Sequence, residues 1–223
     1  MKNYSPSREK RTVARYTSSM SAESVMSAAG LPQDPAGMKI LDIGAGWSDA
    51  VAWLCEMGAH AFALDPLYRP GVDSDEFYRR SEELREERLI ERYGLQLGRA
   101  YSNSLKDSNR AAREITIRDR KEHPARYVPG YAGALPFRDG CFDLVFSINC
   151  ITHGLDEDYG VFMRAVAEAL RVLKPQGRLH LYPVLWSSYS VINRKHEELI
   201  NRFAGDLITT PGAVNPKLIL QKP

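Results

Sequence analysis

The chain has 223 residues, which is enough for one sizeable domain and short for two. Its 43% apolar and 26% charged residues are ordinary for a soluble globular protein, and a formal net charge of +2 is too small to indicate a nucleic-acid or membrane partner. No apolar run is long enough to span a bilayer, and the polar start "MKNYSPSREKRTVARY" lacks the apolar core of a signal peptide, which favours a cytoplasmic protein.

The first elements of the chain are polar and then rich in Ser and Ala. The stretch "SAESVMSAAG" predicts a helix capped by Ser21 and ended by Gly30, and a linker rich in Pro and Gly follows it. We therefore expect residues 1–37 to form an N-terminal helical cap segment.

A strand, a glycine loop, a helix and a second strand follow within about 25 residues. "MKILDIG" is a short apolar strand, "SDAVAWLCEMG" has a helical apolar face that ends at Gly58, and "AHAFALD" has the length of a strand. This order is a βαβ unit, and it predicts a parallel sheet.

Residues 69–126 form a long charged stretch that exceeds an ordinary crossover. Most of it has a helical pattern, although "EITIR" alternates in the way that a strand does. We expect a helical insertion or lid after the second strand.

The remaining elements return to alternating strands and helices. The pattern predicts strands in "CFDLVFSINCITH", "RLHLYPVLW" and "PKLILQK", and helices in "YGVFMRAVAEALRVLKPQG" and "VINRKHEELINRF". The three cysteines are Cys55, Cys141 and Cys150. They are odd in number, lack the spacing of metal ligands and fall in apolar segments, so we expect reduced thiols and no metal site.

The loop in "ILDIGAGWSD" has the two glycines that let a ligand approach the backbone at the start of a helix, Gly44 and Gly46. A dinucleotide fingerprint would place a third glycine where this chain has Asp49, whose charge would repel a pyrophosphate, and this argues against NAD or FAD. Asp65 ends the second strand nineteen residues after Gly46, which is the separation at which a carboxylate accepts ribose hydroxyls.

Four ordered motifs between residues 38 and 186 carry a family resemblance. "LDIGAGWS", the strand ending in Asp65, "GYAGALPFRDGCFDLVFSINCITH" and "ALRVLKPQGRLHL" together resemble the class I S-adenosylmethionine-dependent methyltransferases, in their small-molecule branch. The resemblance implies a doubly wound α/β fold, with a mostly parallel Rossmann-like sheet and a final antiparallel strand, in a methyltransferase domain over residues 38–223.

The resemblance also implies a binding site for S-adenosyl-L-methionine. Asp42, Gly44 and Gly46 would hold the methionine end and Asp65 the ribose. The residues expected around the adenine are Leu67, Tyr131, Ala132 and Gly133, and those expected beside the methyl group are Asn149 and Ile151. Trp47 either closes over the cofactor or covers the start of the helix. Tyr131 replaces the family's adenine-facing acid, and Gln176 replaces a glycine in its "LKPGG" turn.

The expected activity is methyl transfer to an O, N or C atom of a small molecule. His153, just beyond the fourth strand, is the candidate general base because a histidine has a pKa near neutrality. Two other roles are open for it: it lines the acceptor pocket, or it is purely structural. An RNA or protein methyltransferase and a non-catalytic S-adenosylmethionine-binding protein remain alternatives. Nucleic acid is the less favoured partner because acids nearly balance the arginines of the insertion.

Overall fold

The structure is a computed structural model, and it describes residues 20–72, 74–154, 159–182, 206–208 and 217–223. The strands are β1 (Lys39–Ile43), β2 (His60–Leu64), β3 (Tyr127–Val128), β4 (Phe142–Ile148), β5 (Leu173–Tyr182), β6 (Asp206–Ile208) and β7 (Lys217–Gln221). The helices are α1 (Ala22–Ala29), α2 (Ala50–Glu56), α3 (Ser74–Tyr93), α4 (Leu95–Glu122), α5 (Ile151–Gly154) and α6 (Tyr159–Val172), with 3-10 turns at Pro66–Tyr68 and Pro124–Arg126.

The described strands form one sheet of seven in the order β3-β2-β1-β4-β5-β7-β6. The first five strands of this order pair in parallel, and β7 is antiparallel to both of its neighbours. The predicted fold class, a doubly wound Rossmann-like sheet with a final antiparallel strand, is therefore confirmed. The strand order reverses between β1 and β4, and in such sheets ligands bind at the carboxyl ends of the strands on either side of this point.

Apolar side chains cover both faces of the sheet, as a buried parallel sheet requires. Leu41 of β1 belongs to one buried cluster, with Val145 of β4 and Val166 of α6. Its neighbour Ile40 belongs to a second cluster, with Leu54 of α2, because successive residues of a strand point to opposite faces.

Helix α1 packs on the second of these faces. The Ser21 side chain caps its first turn and Gly30 ends it in a left-handed conformation with φ of 61°, so this prediction is confirmed. The Asp49 carboxylate, at the start of α2, accepts a hydrogen bond from the backbone N–H of Ala22. Asp49 therefore fixes the start of α1 against the start of α2.

The segment predicted to be an insertion forms two consecutive helices, α3 and α4. Gly94, with φ of 80°, separates them, and Gly98 allows the helices to approach closely, because a Cβ at that position would lie 2.5 Å from the Ile90 backbone. The strand-like alternation of "EITIR" lies within α4. In the part of the chain that the structure describes, no helix is both long and apolar enough to cross a membrane.

The predicted helix at 191–203 lies outside the described residues. The predicted strand at 178–186 is described as far as Tyr182, where β5 ends, and the C-terminal strand is confirmed as β7.

Candidate functional site

The carboxyl ends of β1, β2 and β4 bring the glycine loop, Asp65 and Asn149 to one edge of the sheet. The registers place Ile43 beside Leu64 and Asp42 beside Phe146, so the residues that follow these strands are neighbours. Gly44 and Gly46 have left-handed φ angles of 78° and 56°. Asn149, which follows β4, also has a positive φ, 57°, a conformation that non-glycine residues seldom adopt and that often occurs at functional sites.

Asp65 is buried and joins the glycine loop to the turn after β2. One carboxylate oxygen accepts the Gly46 N–H at 3.0 Å, and the other accepts the Leu67 N–H at 2.9 Å. Burial raises the pKa of Asp65 to about 6, although these hydrogen bonds and the charge of Arg120 oppose the rise. Each oxygen has a further lone pair, so the carboxylate is able to accept two hydroxyl donors.

Asp42 lies in the same edge with an exposed fraction of only 3%. Burial, and then the neighbouring charge of Asp65, raise the pKa of Asp42 well above its ordinary value. Its carboxylate accepts no hydrogen bond from the described residues, and a buried acid without donors is unfavourable unless a ligand supplies them.

These two acids fit S-adenosylmethionine. The molecule carries an ammonium and a sulfonium, which would offset the two carboxylates, and its ribose has two hydroxyl donors for Asp65. A pyrophosphate would add negative charge beside both acids. The chemistry of the donor set therefore agrees with the cofactor that the resemblance implies.

Cys150 is a site residue that the sequence reading did not select. A Cβ built on Gly44 would lie 2.3 Å from the Cys150 Cβ, so this side chain occupies the space that the glycine leaves. Burial and the charges of Asp65 and Asp42 raise the pKa of the thiol to about 12, which keeps it protonated at neutral pH. The sequence indicated only a cysteine in an apolar segment, because the contact of Cys150 with Gly44 joins the ends of two strands that are far apart in the chain.

The loop that contains Tyr131, Ala132 and Gly133 lies near the end of β2. Tyr131 is 39% exposed, and the Arg69 guanidinium lies 4.4 Å from the centre of its ring. The Ala132 side chain is buried, whereas the Cβ position of Gly133 is open, with its nearest neighbour 4.0 Å away.

Arg171 of α6 holds this loop from behind. Its guanidinium donates to the carbonyl oxygens of Phe137 at 2.9 Å and Leu135 at 3.1 Å, and it pairs with Glu168 and Asp139. The hydrogen bond from the Arg171 side chain lowers the pKa of Glu168 below its ordinary value, so both members of this pair stay charged. The arginine of the "ALRVLKPQG" motif is therefore the anchor of the loop.

Three other predicted contacts have buried side chains. Leu67 is 2% exposed and Ile151 is not exposed, so each packs within the core at the edge of the site. Trp47 is 1% exposed, and the Arg113 guanidinium lies 5.3 Å from its ring. The tryptophan thus lies beneath α4, at the start of α2. The roles of all three toward a cofactor stay predictions.

Helix α4 contacts the glycine loop directly, which no local pattern in the sequence indicated. The buried Thr116 hydroxyl lies 2.9 Å from the carbonyl oxygen of Ser48, and it shares its one proton between this acceptor and the carbonyl oxygen of Ala112 in its own helix, at 2.8 Å. Arg120 donates to the carbonyl oxygen of Tyr68 at 2.9 Å, and the Tyr68 hydroxyl donates to the carbonyl oxygen of Gly46 at 2.9 Å. The insertion therefore packs against the glycine loop at this edge of the sheet.

His153 lies in α5, the short helix that follows β4. Its side chain lies outside the described residues, so its assignment as a general base stays a prediction. Within the described ranges, no group of three or more His, Cys, Asp or Glu side chains is arranged to hold a metal ion.

Comparison with known proteins identifies a methyltransferase domain in part of the chain. Residues 88–181 match a methyltransferase domain. The glycine/sarcosine/dimethylglycine N-methyltransferase of Actinopolyspora halophila is 30% identical over 110 residues, which are 49% of this chain, and the chain spans only 18% of that protein's length.

Two solved structures are similar to the chain, and the first of them shares its fold. A putative O-methyltransferase from Nostoc punctiforme PCC 73102 matches with a TM-score of 0.52 and 16% identity, over 90% of this chain and 56% of the other. A putative S-adenosyl-L-methionine-dependent methyltransferase from Methanococcus maripaludis matches with a TM-score of 0.45 and 14% identity, over 96% of this chain and 86% of the other. With its matched methyltransferase domain over residues 88–181 and its sheet order, the chain is similar to the class I S-adenosylmethionine-dependent methyltransferases.

Proposed function

We propose that this protein transfers a methyl group from S-adenosyl-L-methionine to an O, N or C atom of a small molecule. The observation that carries the proposal is the pair of buried acids, Asp42 and Asp65, at the switch point of the sheet. Both have a raised pKa, and the Asp42 carboxylate has no hydrogen-bond donor among the described residues. A cationic ligand with two vicinal hydroxyls supplies what this pair lacks.

The proposed arrangement assigns each end of the cofactor to one part of this edge. Asp65 accepts the ribose hydroxyls while it keeps its hydrogen bonds from Gly46 and Leu67. Asp42 supports the amino group, and the open backbone at Gly133 receives the adenine. These roles follow the family resemblance, and the burial of both acids supports them.

S-adenosylmethionine, when bound, supplies a methyl group that the sulfonium already activates. The residues of this chain therefore have to position the acceptor, exclude water and, where the acceptor carries a proton, accept it. We propose that Asn149 and Ile151 lie beside the methyl group and that His153 receives that proton. A His153→Gln variant should then lower the rate of transfer to a protonated acceptor while the affinity for S-adenosylhomocysteine stays within about twofold. Equal rates would exclude the proton-accepting role.

Two observations support a small acceptor. The relative from Actinopolyspora halophila is named for glycine, sarcosine and dimethylglycine, which are small molecules. Several cations of the insertion are paired with acids, for example Lys106 with Glu86 at 2.8 Å and Arg113 with Asp75. Paired cations do not form the basic stripe that a nucleic-acid backbone requires.

Calorimetry with S-adenosylmethionine and S-adenosylhomocysteine tests the cofactor assignment. We expect Asp65→Asn to weaken binding at least about tenfold, because it removes charge-assisted hydrogen bonds to the ribose. Asp34→Asn is the matched control, because Asp34 is exposed and makes the same kind of backbone hydrogen bond, to Ala36. If the wild-type protein binds neither molecule, or if both variants bind equally well, the assignment is wrong.

Methyl transfer itself separates an enzyme from a non-catalytic cofactor-binding protein. We expect the purified protein to form S-adenosylhomocysteine from S-adenosylmethionine in the presence of small amines, hydroxy compounds or carbon acids. Activity that appears only with RNA and falls steeply with salt would instead favour the nucleic-acid alternative.

A further inference from the structure

Arg120 of α4 contacts the turn that follows Asp65, although α4 belongs to the insertion. Its guanidinium donates to the carbonyl oxygen of Tyr68 at 2.9 Å, and it also lies 5.0 Å from the centre of the Tyr68 ring. A guanidinium that bonds a residue's carbonyl and also lies over its ring holds that residue at two points. The position of Tyr68 is therefore fixed from the insertion.

Tyr68 connects Arg120 to the glycine loop. The Tyr68 side chain is buried, and its hydroxyl donates to the carbonyl oxygen of Gly46 at 2.9 Å. The N–H of Gly46 donates in turn to the Asp65 carboxylate at 3.0 Å. Arg120, Tyr68, Gly46 and Asp65 thus form one connected set of hydrogen bonds, which begins in the insertion and ends at the acid proposed to bind the ribose.

The charge of Arg120 acts on the same acid. Burial raises the pKa of Asp65 to about 6, and the positive charge of Arg120 opposes this rise. Asp119, the acid next to Arg120 in the chain, accepts from Arg126 at 3.0 Å and from the Tyr127 hydroxyl at 2.8 Å, so it is engaged elsewhere. Arg120 therefore favours the ionised form of Asp65.

The other titratable groups that interact with Asp65 cannot take over this role. Asp42 of β1 is itself an acid, and the charge of Asp65 contributes to its raised pKa. The pKa of Tyr68 lies well above its ordinary value and that of Cys150, after β4, is raised to about 12, so both groups are neutral at physiological pH. Of these groups and Arg120, Arg120 is the one with a positive charge.

We propose that Arg120 is a positioning residue for S-adenosylmethionine: it holds the turn after Asp65 against the glycine loop and places a positive charge near the carboxylate that binds the ribose. It acts on the cofactor through Tyr68 and Asp65. This inference rests on the proposed role of Asp65 toward the ribose. It gives the insertion a function in cofactor binding.

Calorimetry with S-adenosylhomocysteine at pH 6.5 and pH 8 tests the effect of the charge. An opposite charge nearby lowers the pKa of a carboxyl group by about 1–3, so Arg120→Gln should raise the pKa of Asp65 from about 6 to about 7 or higher. At pH 6.5 the ionised fraction of Asp65 then falls at least about threefold, and at pH 8 it falls much less. The ratio of the dissociation constants, Arg120→Gln over wild type, should therefore be at least about threefold larger at pH 6.5 than at pH 8.

Two further variants separate the charge from the contact with Tyr68. Arg120→Lys keeps the charge but loses the planar guanidinium, so it should weaken binding about threefold at both pH values, with no pH dependence of the ratio. In the Asp65→Asn background, Arg120→Gln should also lose its pH-dependent effect, because the group that titrates is absent.

Arg118→Gln is the matched control, because it removes one positive charge from the same helix. Arg118 is exposed, and it lies about 200° around the helix axis from Arg120. This variant should bind S-adenosylhomocysteine within about twofold of the wild type at both pH values.

Several outcomes would overturn the proposal. A ratio for Arg120→Gln that is the same at both pH values, or a pH-dependent loss that persists in the Asp65→Asn background, would show that Arg120 does not act through Asp65. Wild-type affinity of Arg120→Lys would show that the contact with Tyr68 has no effect on binding, and this variant decides the matter if Arg120→Gln does not fold. A wild-type protein that does not bind S-adenosylhomocysteine would overturn the proposed function as well, whereas the other outcomes overturn this inference alone.

Discussion

The raised pKa of Asp65 predicts that this residue opposes folding at neutral pH. Its ordinary pKa is 3.8, and burial raises it to about 6 in the folded protein. The folded state therefore binds a proton more readily than the unfolded state as the pH falls. The contribution of Asp65 to stability is fully present below pH 3.8 and is lost as the pH rises through about 6.

The magnitude follows from this shift. At pH 5, one unit below the folded pKa, the proton on Asp65 favours the folded state by about 1.4 kcal/mol relative to pH 7. Asp65→Asn cannot take up this proton. The difference in the free energy of unfolding, wild type minus Asp65→Asn, should therefore increase by about 1.4 kcal/mol from pH 7 to pH 5.

Urea denaturation at pH 7, 6 and 5 measures this difference. Using a difference is necessary because His180 acts in the opposite direction: its pKa is lowered to about 4, so its contribution falls as the pH falls below its ordinary value of 6.5. Asp34→Asn, at an exposed position, is the control for the loss of one carboxylate. A constant difference between wild type and Asp65→Asn, or one that shrinks on acidification, would refute the reasoning.

Three further predictions concern stability, each measured as the free energy of unfolding in urea. Thr116→Val should cost about 1–2 kcal/mol because it removes the donor to the Ser48 carbonyl, whereas Thr116→Ser keeps that donor. Gly37→Ala should cost about 1–2 kcal/mol because of its φ of 73° alone, since its surroundings are open. Gly44→Ala should cost at least about 2 kcal/mol more than Gly37→Ala, because the added methyl group collides with Cys150. Equal costs of the two substitutions would contradict that contact. Arg171→Ala should cost about 2–3 kcal/mol and speed amide hydrogen exchange at residues 131–139, because it removes the hydrogen bonds to the loop carbonyls. Unchanged exchange at these residues would show that Arg171 does not anchor the loop.

Local patterns were sufficient for most of the fold. The capping serine and the left-handed glycine of α1 act within one helix, and the βαβ unit around the glycine loop follows from short periodic segments and a tight turn. The strand-like alternation of "EITIR" was misleading because its apolar residues do not form the buried side of α4: Ile117 is 40% exposed, and the polar Thr116 is fully buried. Tertiary packing decided this segment in favour of the helix.

The sequence could not show contacts between distant segments. Thr116 and Ser48 are 68 residues apart, and nothing in either segment identifies the other. No local pattern singles out His180, because the carbonyl oxygen that accepts from its Nδ1 belongs to Ala29, 151 residues earlier. The common location of Asp42 and Asp65 was predictable because both lie at the carboxyl ends of strands whose order the βαβ pattern implies. The residues that support them were not, since burial and hydrogen bonding depend on the packed structure.

The contacts of α4 bear on whether the insertion is a lid, as the sequence left open. For α4 to leave the glycine loop, the hydrogen bonds from Thr116 to Ser48 and from Arg120 to Tyr68 must break, and Trp47 must lose its cover. Two such bonds alone represent about 2 kcal/mol, and exposure of a buried tryptophan adds about 2 kcal/mol or more. At about 4 kcal/mol in total, an open form would make up roughly 0.1% of the molecules. We infer that the part of α4 in contact with the loop is a fixed wall of this edge and does not open as a lid.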